Sequence, residues 1–199
     1  MILDDLKKGF FFIVSAPSGG GKTTLVKRLT DEYDSIVRSI SYTTREKRND
    51  EIDGKDYFFV NENEFEKKIR NDEFLEYVRF LGYYYGTDRK FVENNINRKK
   101  HVVLTIDVQG AMNLKKKNIG IFIFLKPPSM QILKKRLEIR QTEDEEKIKE
   151  KMELAKKEIE VGEKYYDYII VNDDIDVAYK SLVSIFIAEE NKNRKIGKL

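Results

Sequence analysis

Phe10 to Val14, His101 to Ile106, Ile121 to Leu125 and Tyr168 to Val171 are short, almost unbroken apolar runs. A strand that faces solvent on one side alternates apolar and polar residues, so unbroken runs predict a parallel sheet covered on both faces. Ile36 to Ser41 reads as a further strand. Between these runs the period lengthens. Leu25, Val26 and Leu29 give Lys22 to Glu32 an apolar helical face, and the same spacing predicts helices over Lys90 to Asn97, Gln109 to Lys117, Met130 to Arg140 and Val177 to Ala188. Pro127 and Pro128 stop the chain before the fourth of these, and Ser129 can cap it. Strands alternating with helices indicate an α/β domain.

Two stretches interrupt the alternation. Residues 42–56, YTTREKRNDEIDGKD, have little to bury and read as a loop or a small exposed unit. Tyr57 to Val60 is strand-like, Glu62 to Arg70 a short helix, Phe74 to Leu81 a weakly alternating segment, and GYYYGT after it a tight turn, so residues 42–88 form an inserted small α/β unit. The second interruption is a charged stretch, Glu138 to Lys164; Lys134 to Lys151, dense in both signs, reads by default as an exposed helix laced with ion pairs. Residues 190–199 read as a frayed basic tail.

Composition narrows the function. Charged residues make up 37% of the chain, but the net charge is only +3, which suits a small anionic ligand better than a nucleic-acid duplex. The chain has no cysteine, which excludes disulfides and thiolate metal sites, and its apolar runs are too short to span a bilayer. The expectation is a soluble cytoplasmic protein of one domain, with neither nucleic acid nor membrane as partner.

The chemistry concentrates where the first strand meets the first helix. Residues 15–24, SAPSGGGKTT, place Ser18, Gly19, Gly20 and Gly21 before Lys22, Thr23 and Thr24 at the opening of a helix. This is the setting of a phosphate cradle: backbone N–H groups turn inward, the lysine reaches the β and γ phosphates, and the following hydroxyl, Thr23, holds Mg²⁺. The bland alternative is a flexible Gly-Ser turn. Arg45 and Arg48, three apart among Ser41, Thr43, Thr44 and Tyr57, can clamp a phosphate bidentately, against the alternative of a solvated charged loop. Glu76 stands among apolar and aromatic residues, where a buried carboxylate needs a specific partner. Tyr83 and Tyr84 read equally well as core aromatics. Arg136 and Arg140, at i and i+4, share one helical face and can swing together over a triphosphate. His101 opens a buried strand and reads as structural.

These motifs, taken in order, resemble the guanylate kinase family. SAPSGGGKT, SISYTTR, EIDGKDYFFV, FLEY, YYYGT, IDVQG and IVNDD follow one another from Phe11 to about Glu189. The resemblance implies a three-layer P-loop NTPase core with a mostly parallel sheet (about 1–41, 89–137 and 161–189). To that core it adds a GMP-binding insert (about 42–88) and a helical lid (about 138–160). The implied reaction is transfer of the ATP γ-phosphoryl group to GMP, with Mg²⁺. By the same resemblance Arg45, Arg48, Tyr57 and Tyr85 would hold the GMP phosphate, and Ser41, Glu76, Thr87 and Asp107 would read guanine. Lys22 and Thr23 would serve ATP and the metal, Arg136 and Arg140 would come from the lid, and Asn172 would lie near the adenine. The alternative is a non-catalytic module of the same family that binds a phosphopeptide; the retained Lys22 and Thr23 argue against it.

Three positions depart from the family pattern. Ala16 replaces a first glycine that the family exchanges freely. Thr105 stands where many members carry an acid, and Lys151 where they often carry a lid arginine whose forked contact a lysine cannot make. The chemistry itself needs no general base, because a phosphate monoester with a second pKa of about 6 is already largely ionised at neutral pH. Positioning and charge neutralisation remain as the main requirements.

Overall fold

The computed structural model describes residues 3, 6, 8–139 and 145–192. A five-stranded sheet forms the centre, in the order β2-β7-β1-β8-β9. Its strands are β1 (Phe11–Ser15), β2 (Ile36–Ser39), β7 (His101–Thr105), β8 (Ile121–Lys126) and β9 (Tyr168–Val171), and every pairing is parallel. Helices α1 (Lys22–Glu32), α3 (Arg89–Asn97), α4 (Val108–Lys116), α5 (Met130–Ile139), α6 (Glu145–Tyr165) and α7 (Ile175–Lys192) surround it.

The unbroken apolar runs are explained by the two cores. Phe12 and Val14 of β1 point to one face, where they meet Leu25, Val26 and Leu29 of α1 and Ala178, Leu182 and Phe186 of α7. Phe11 and Ile13 point to the other, against Val92 of α3 and Ala111 and Leu114 of α4. A strand with helices on both sides gains from apolar residues at every position, at roughly 1.5 to 3 kcal/mol for each large side chain fully buried. His101 is sealed in the first core. Its Nδ1 accepts from the Phe10 N–H at 3.1 Å, and burial lowers its pKa to about 4, so it is neutral and remote from any chemistry.

The second sheet is built entirely between Tyr42 and Asp88, in the order β4-β3-β6-β5, with β3 (Tyr42–Thr43), β4 (Phe58–Phe59), β5 (Phe74–Phe80) and β6 (Tyr83–Asp88). Helix α2 (Glu62–Arg70) packs on it through Phe65 and carries a capping box between Asn61 and Glu64.

Four expectations need correction. The stretch after Tyr42 is not all exposed: Thr43 lies on β3 with no solvent exposure, and a strand of two residues is too short to show a period. The tight turn is Leu81-Gly82, both at positive φ, and the tyrosines after it are strand; this is the backbone a two-residue hairpin turn demands. The charged run from Glu145 is a helix as expected, but not an all-exposed one, since Ile148, Ala155, Glu158 and Gly162 of α6 are buried, and a Cβ on Gly162 would come within 2.6 Å of the Phe124 ring. Glu190 to Lys192 are the end of α7 rather than tail, and residues 193–199 lie outside those described.

Candidate active site

A cleft of about 420 Å³ opens where the carboxyl ends of β1 and β7 face the second sheet. At one end lies the turn between β1 and α1. Gly19 and Gly21 sit at φ +84° and +89°, and the Gly20 N–H closes a turn onto the Pro17 carbonyl at 2.9 Å. No side chain caps α1 and no acidic residue stands in its first turn, so its leading N–H groups are left for a ligand. Asn172, buried at the end of β9, donates from Nδ2 to the Gly20 carbonyl at 2.8 Å. It packs so close that a Cβ on Gly21 would come within 2.3 Å of that nitrogen. Only glycine fits there, on grounds of both conformation and space.

Lys22 Nζ donates to the Ile106 carbonyl at 3.0 Å, which lays its ammonium across the cleft floor. Burial pushes its pKa down, opposed by the charges of Asp107 and Glu158. Thr23 and Thr24 follow, exposed to the cleft. Asp107 caps α4, its Oδ1 accepting from the Gly110 N–H at 2.8 Å. The Thr23 hydroxyl and the Asp107 carboxylate are hard oxygen donors on the same cleft wall, which fits a Mg²⁺ ion that arrives with nucleotide phosphates.

The far end is made by β2, β5, β6 and the loop before β4. Arg45 Nη2 pairs with Glu51 Oε1 at 2.6 Å, both side chains 14% exposed, while Glu51 Oε2 accepts from the Arg48 N–H at 2.9 Å. Burial, the largest single effect, works against both charges, but the hydrogen bonds and neighbouring charges together outweigh it, raising the pKa of Arg45 and lowering that of Glu51. The Arg45 guanidinium lies 5.4 Å from the centre of the Tyr57 ring, which is itself 5.9 Å from that of Tyr85. Burial raises the Tyr57 pKa.

Glu76 is reached through a break in register. Phe74 pairs with Asp88 and Glu76 with Thr87, so β5 carries one residue more than β6 there, a bulge that turns the carboxylate toward the cleft. It is 4% exposed. Oε1 accepts from the Thr87 hydroxyl at 2.7 Å, and Oε2 has no hydrogen-bond partner among the described residues. Burial chiefly raises its pKa to about 7, with Thr87 and Lys117 opposing and Asp107 adding to the rise. Gly110 makes room: a Cβ there would stand 3.2 Å from Oε2.

The cleft thus gathers Ser18, Gly19, Gly20, Gly21, Lys22, Thr23, Thr24, Ser41, Arg45, Arg48, Tyr57, Glu76, Tyr85 and Asp107. Thr87 is placed behind Glu76, fully buried, rather than in the cleft. Arg136 is outside it, with Nη2 donating to the Asn172 carbonyl at 2.9 Å, and Arg140 lies outside the described residues. Asn172 lies behind the cradle, its amide nitrogen donating to the Gly20 carbonyl.

Sequence reasoning missed Arg38, Glu51 and Glu158, which also line the cleft. Glu51 and Glu158 stand in charged runs whose default reading is solvation. Arg38 sits on β2 and donates across to the Lys55 carbonyl of the second unit; its only signal was a charge inside a strand.

Comparison with known proteins agrees over nearly the whole chain. A family model described as guanylate kinase matches residues 9–189. The chain is 51% identical over 189 residues to a guanylate kinase of Protochlamydia amoebophila, covering 95% of each chain. It is 46% identical to that of Thermotoga maritima, covering 93% of this chain and 89% of the other. The crystal structure of the guanylate kinase from Anaplasma phagocytophilum superposes with a TM-score of 0.75 at 32% identity, covering 99% and 94% of the two chains.

Proposed function

Because the chain belongs to the guanylate kinase family and is an ATP:GMP phosphotransferase, we propose that the cradle end of its cleft holds ATP and the far end GMP. The observation that carries this reading is the buried Glu76 carboxylate with one unpartnered oxygen facing the same cleft as the uncapped α1 N-terminus. Guanine presents donors at N1 and its exocyclic amine, and a carboxylate accepts both. Thr87 holds that carboxylate in orientation, Ser41 serves the base edge, and Asp107 lies beside it.

The GMP phosphate then falls to Arg45, Arg48, Tyr57 and Tyr85. Glu51 and the Glu46 carbonyl hold Arg45 in place, leaving its remaining N–H groups for phosphate oxygens. At the other end the α1 N–H groups and Lys22 take the ATP phosphates, and Arg136 leaves the Asn172 carbonyl to join them; Arg140, outside the described residues, is proposed for the same role. Thr23 would hold Mg²⁺, which would supply charge neutralisation for the transferred group. The proposed setting is the cytoplasm; among the described residues no helix is long and apolar enough to cross a membrane.

The test is ADP release with GMP, AMP, UMP and dTMP as acceptors. GMP should exceed each of the others by at least about 10³ in kcat/KM, as a site that leaves polar groups unpaired with the wrong base allows. Comparable use of AMP would overturn the assignment of the far end.

A further inference from the structure

The bulge that turns Glu76 into the cleft is held from outside its own sheet. Leu75 is the extra residue, absent from the register between β5 and β6, and a bulge leaves such a residue without its ladder partner. Its carbonyl accepts instead from Lys117 Nζ at 3.1 Å. The carbonyl before it, that of Phe74, accepts from Arg89 Nη2 at 3.0 Å, and Arg89 also donates to the Asp72 carbonyl at 3.1 Å and its carboxylate at 3.0 Å. Both cations come from helices packed on the central sheet: Arg89 opens α3 and Lys117 closes α4. The Leu75 side chain, 7% exposed, lies in the same buried cluster as Ala111 and Leu114 of α4. A lysine at an exposed helix end is ordinarily left to water, yet this one reaches a carbonyl 42 positions away in sequence.

We propose that Lys117 is a positioning residue for base recognition: it ties the bulge of β5 to α4 and so fixes where the Glu76 carboxylate stands. Helix α4 makes the opposite wall as well. Its N-cap Asp107 and its first-turn Gly110 line the cleft, and a Cβ on Gly110 would stand 3.2 Å from Glu76 Oε2. One helix of nine residues, about 13 Å long, thus carries that wall at its N-terminal end and grips the neighbour of Glu76 at the other. Thr87 sets which way the carboxylate turns, but it belongs to the same sheet as Glu76 and moves with it. Lys117 and the Leu75 side chain are what refer the carboxylate to the core. A base edge is read by donors and acceptors that must meet at hydrogen-bond distance and in line. A carboxylate that shifts with its bulge therefore loses guanine, while Arg45 and Tyr57, which serve the phosphate, keep their places around Glu51 and Tyr85.

The inference rests on Glu76 reading guanine, so Glu76→Gln is measured first; a preference for GMP over AMP that survives there defeats the proposed far end and this inference with it. ADP release by the whole chain is then followed with GMP and with AMP as acceptor. Lys117→Met keeps most of the stem and drops the ammonium. It should lower kcat/KM for GMP about tenfold, short of the hundredfold that a full ångström of misplacement can cost because Leu75 stays packed, and the loss should sit mainly in the GMP KM. The kcat/KM for AMP and the KM for ATP should stay within about twofold, so the preference for GMP shrinks by nearly the whole of that loss. Lys117→Arg, which keeps a donor on a long stem, should return GMP use to within about threefold of wild type. In the Glu76→Gln background Lys117→Met should cost less than about twofold more, since no carboxylate is left to place. Unchanged GMP kinetics in Lys117→Met overturn the proposal, as does a loss that Lys117→Arg does not relieve. An equal fall for GMP and AMP would be damage to the fold, and the full loss repeated in the Glu76→Gln background would place the effect elsewhere; either overturns it too.

Discussion

The cradle end of the cleft is made of backbone and the far end of side chains. At the cradle, glycines at positive φ and an uncapped helix present N–H groups whose positions follow from the chain path, and Asn172 locks that path from behind. At the far end, Arg45, Tyr57 and Glu76 come from separate segments and are aimed by one another: Glu51 holds Arg45, Thr87 holds Glu76, and a bulge turns Glu76 inward. Phosphates are alike in every nucleotide and can be met by a fixed backbone. A base is told from its neighbours by the order of donors and acceptors on one edge, which only chosen side chains can match.

The sharpest way to break the comparison is Lys22→Ala. Removing the one side chain the cradle depends on should lower kcat by about 10³ or more while the GMP dissociation constant stays within about twofold, because charge stabilisation is lost only where phosphoryl transfer occurs. A retained turnover would mean that the backbone alone suffices.

Glu76→Gln tests the far end. The amide must turn a donor toward a guanine donor, so kcat/KM for GMP should fall by about 10² or more with little change for AMP, eroding the preference between them. An unaltered preference would show that this carboxylate does not read the base. The same group sets a pH dependence. With its pKa raised to about 7, Glu76 is a carboxylate above that pH and takes a proton below it. Since guanine requires the carboxylate, affinity should be level above about pH 7 and fall roughly tenfold per unit beneath it. Guanosine is the cleaner probe, because the GMP phosphate itself protonates near pH 6. Glu76→Gln should flatten the profile.

Arg45→Ala should raise the GMP KM and lower kcat, by a combined ten- to hundredfold or so, the worth of about 1.5 to 3 kcal/mol for a charge-assisted hydrogen bond. Part of the cost is Glu51, left charged and without its guanidinium. Unchanged kinetic constants would remove Arg45 from the site. Lys151→Arg should have the smallest effect, less than about tenfold in kcat, or roughly 1.4 kcal/mol. A hundredfold gain would mark the native lysine as the weak point of this cleft.

How much the sequence disclosed follows the same division. The cradle was legible because its spacing is local: a strand, a glycine turn and a lysine within residues 11–22 leave one arrangement open. Glu76 was legible from its apolar neighbours, although its bulge was not, since a one-residue slip leaves no mark on so weak an alternation. Thr43 was hidden by the shortness of β3. Glu158 was hidden by its company: among the lysines and glutamates of α6 nothing local distinguishes the carboxylate that points inward. The helix that carries Arg136 was legible, but its contact with the Asn172 carbonyl, 36 positions away in sequence, was not.

The contact between Gly162 and the Phe124 ring has a mechanical consequence. Where a glycine lets a helix rest directly on a ring, the helix has a fulcrum, and α6 becomes a lever with arms of very different length. At 1.5 Å per residue, Lys151 lies about 16 Å from that point and Glu158 only about 6 Å. A tilt of roughly 20° would carry the first through about 6 Å and the second through about 2 Å. A spin label at position 151 should report such a swing on ATP binding, and one at 157 less than half of it; equal displacement of both would mean that the helix slides rather than tilts. One rigid rod can in this way sweep a cation over the phosphates while leaving a carboxylate nearly where it was.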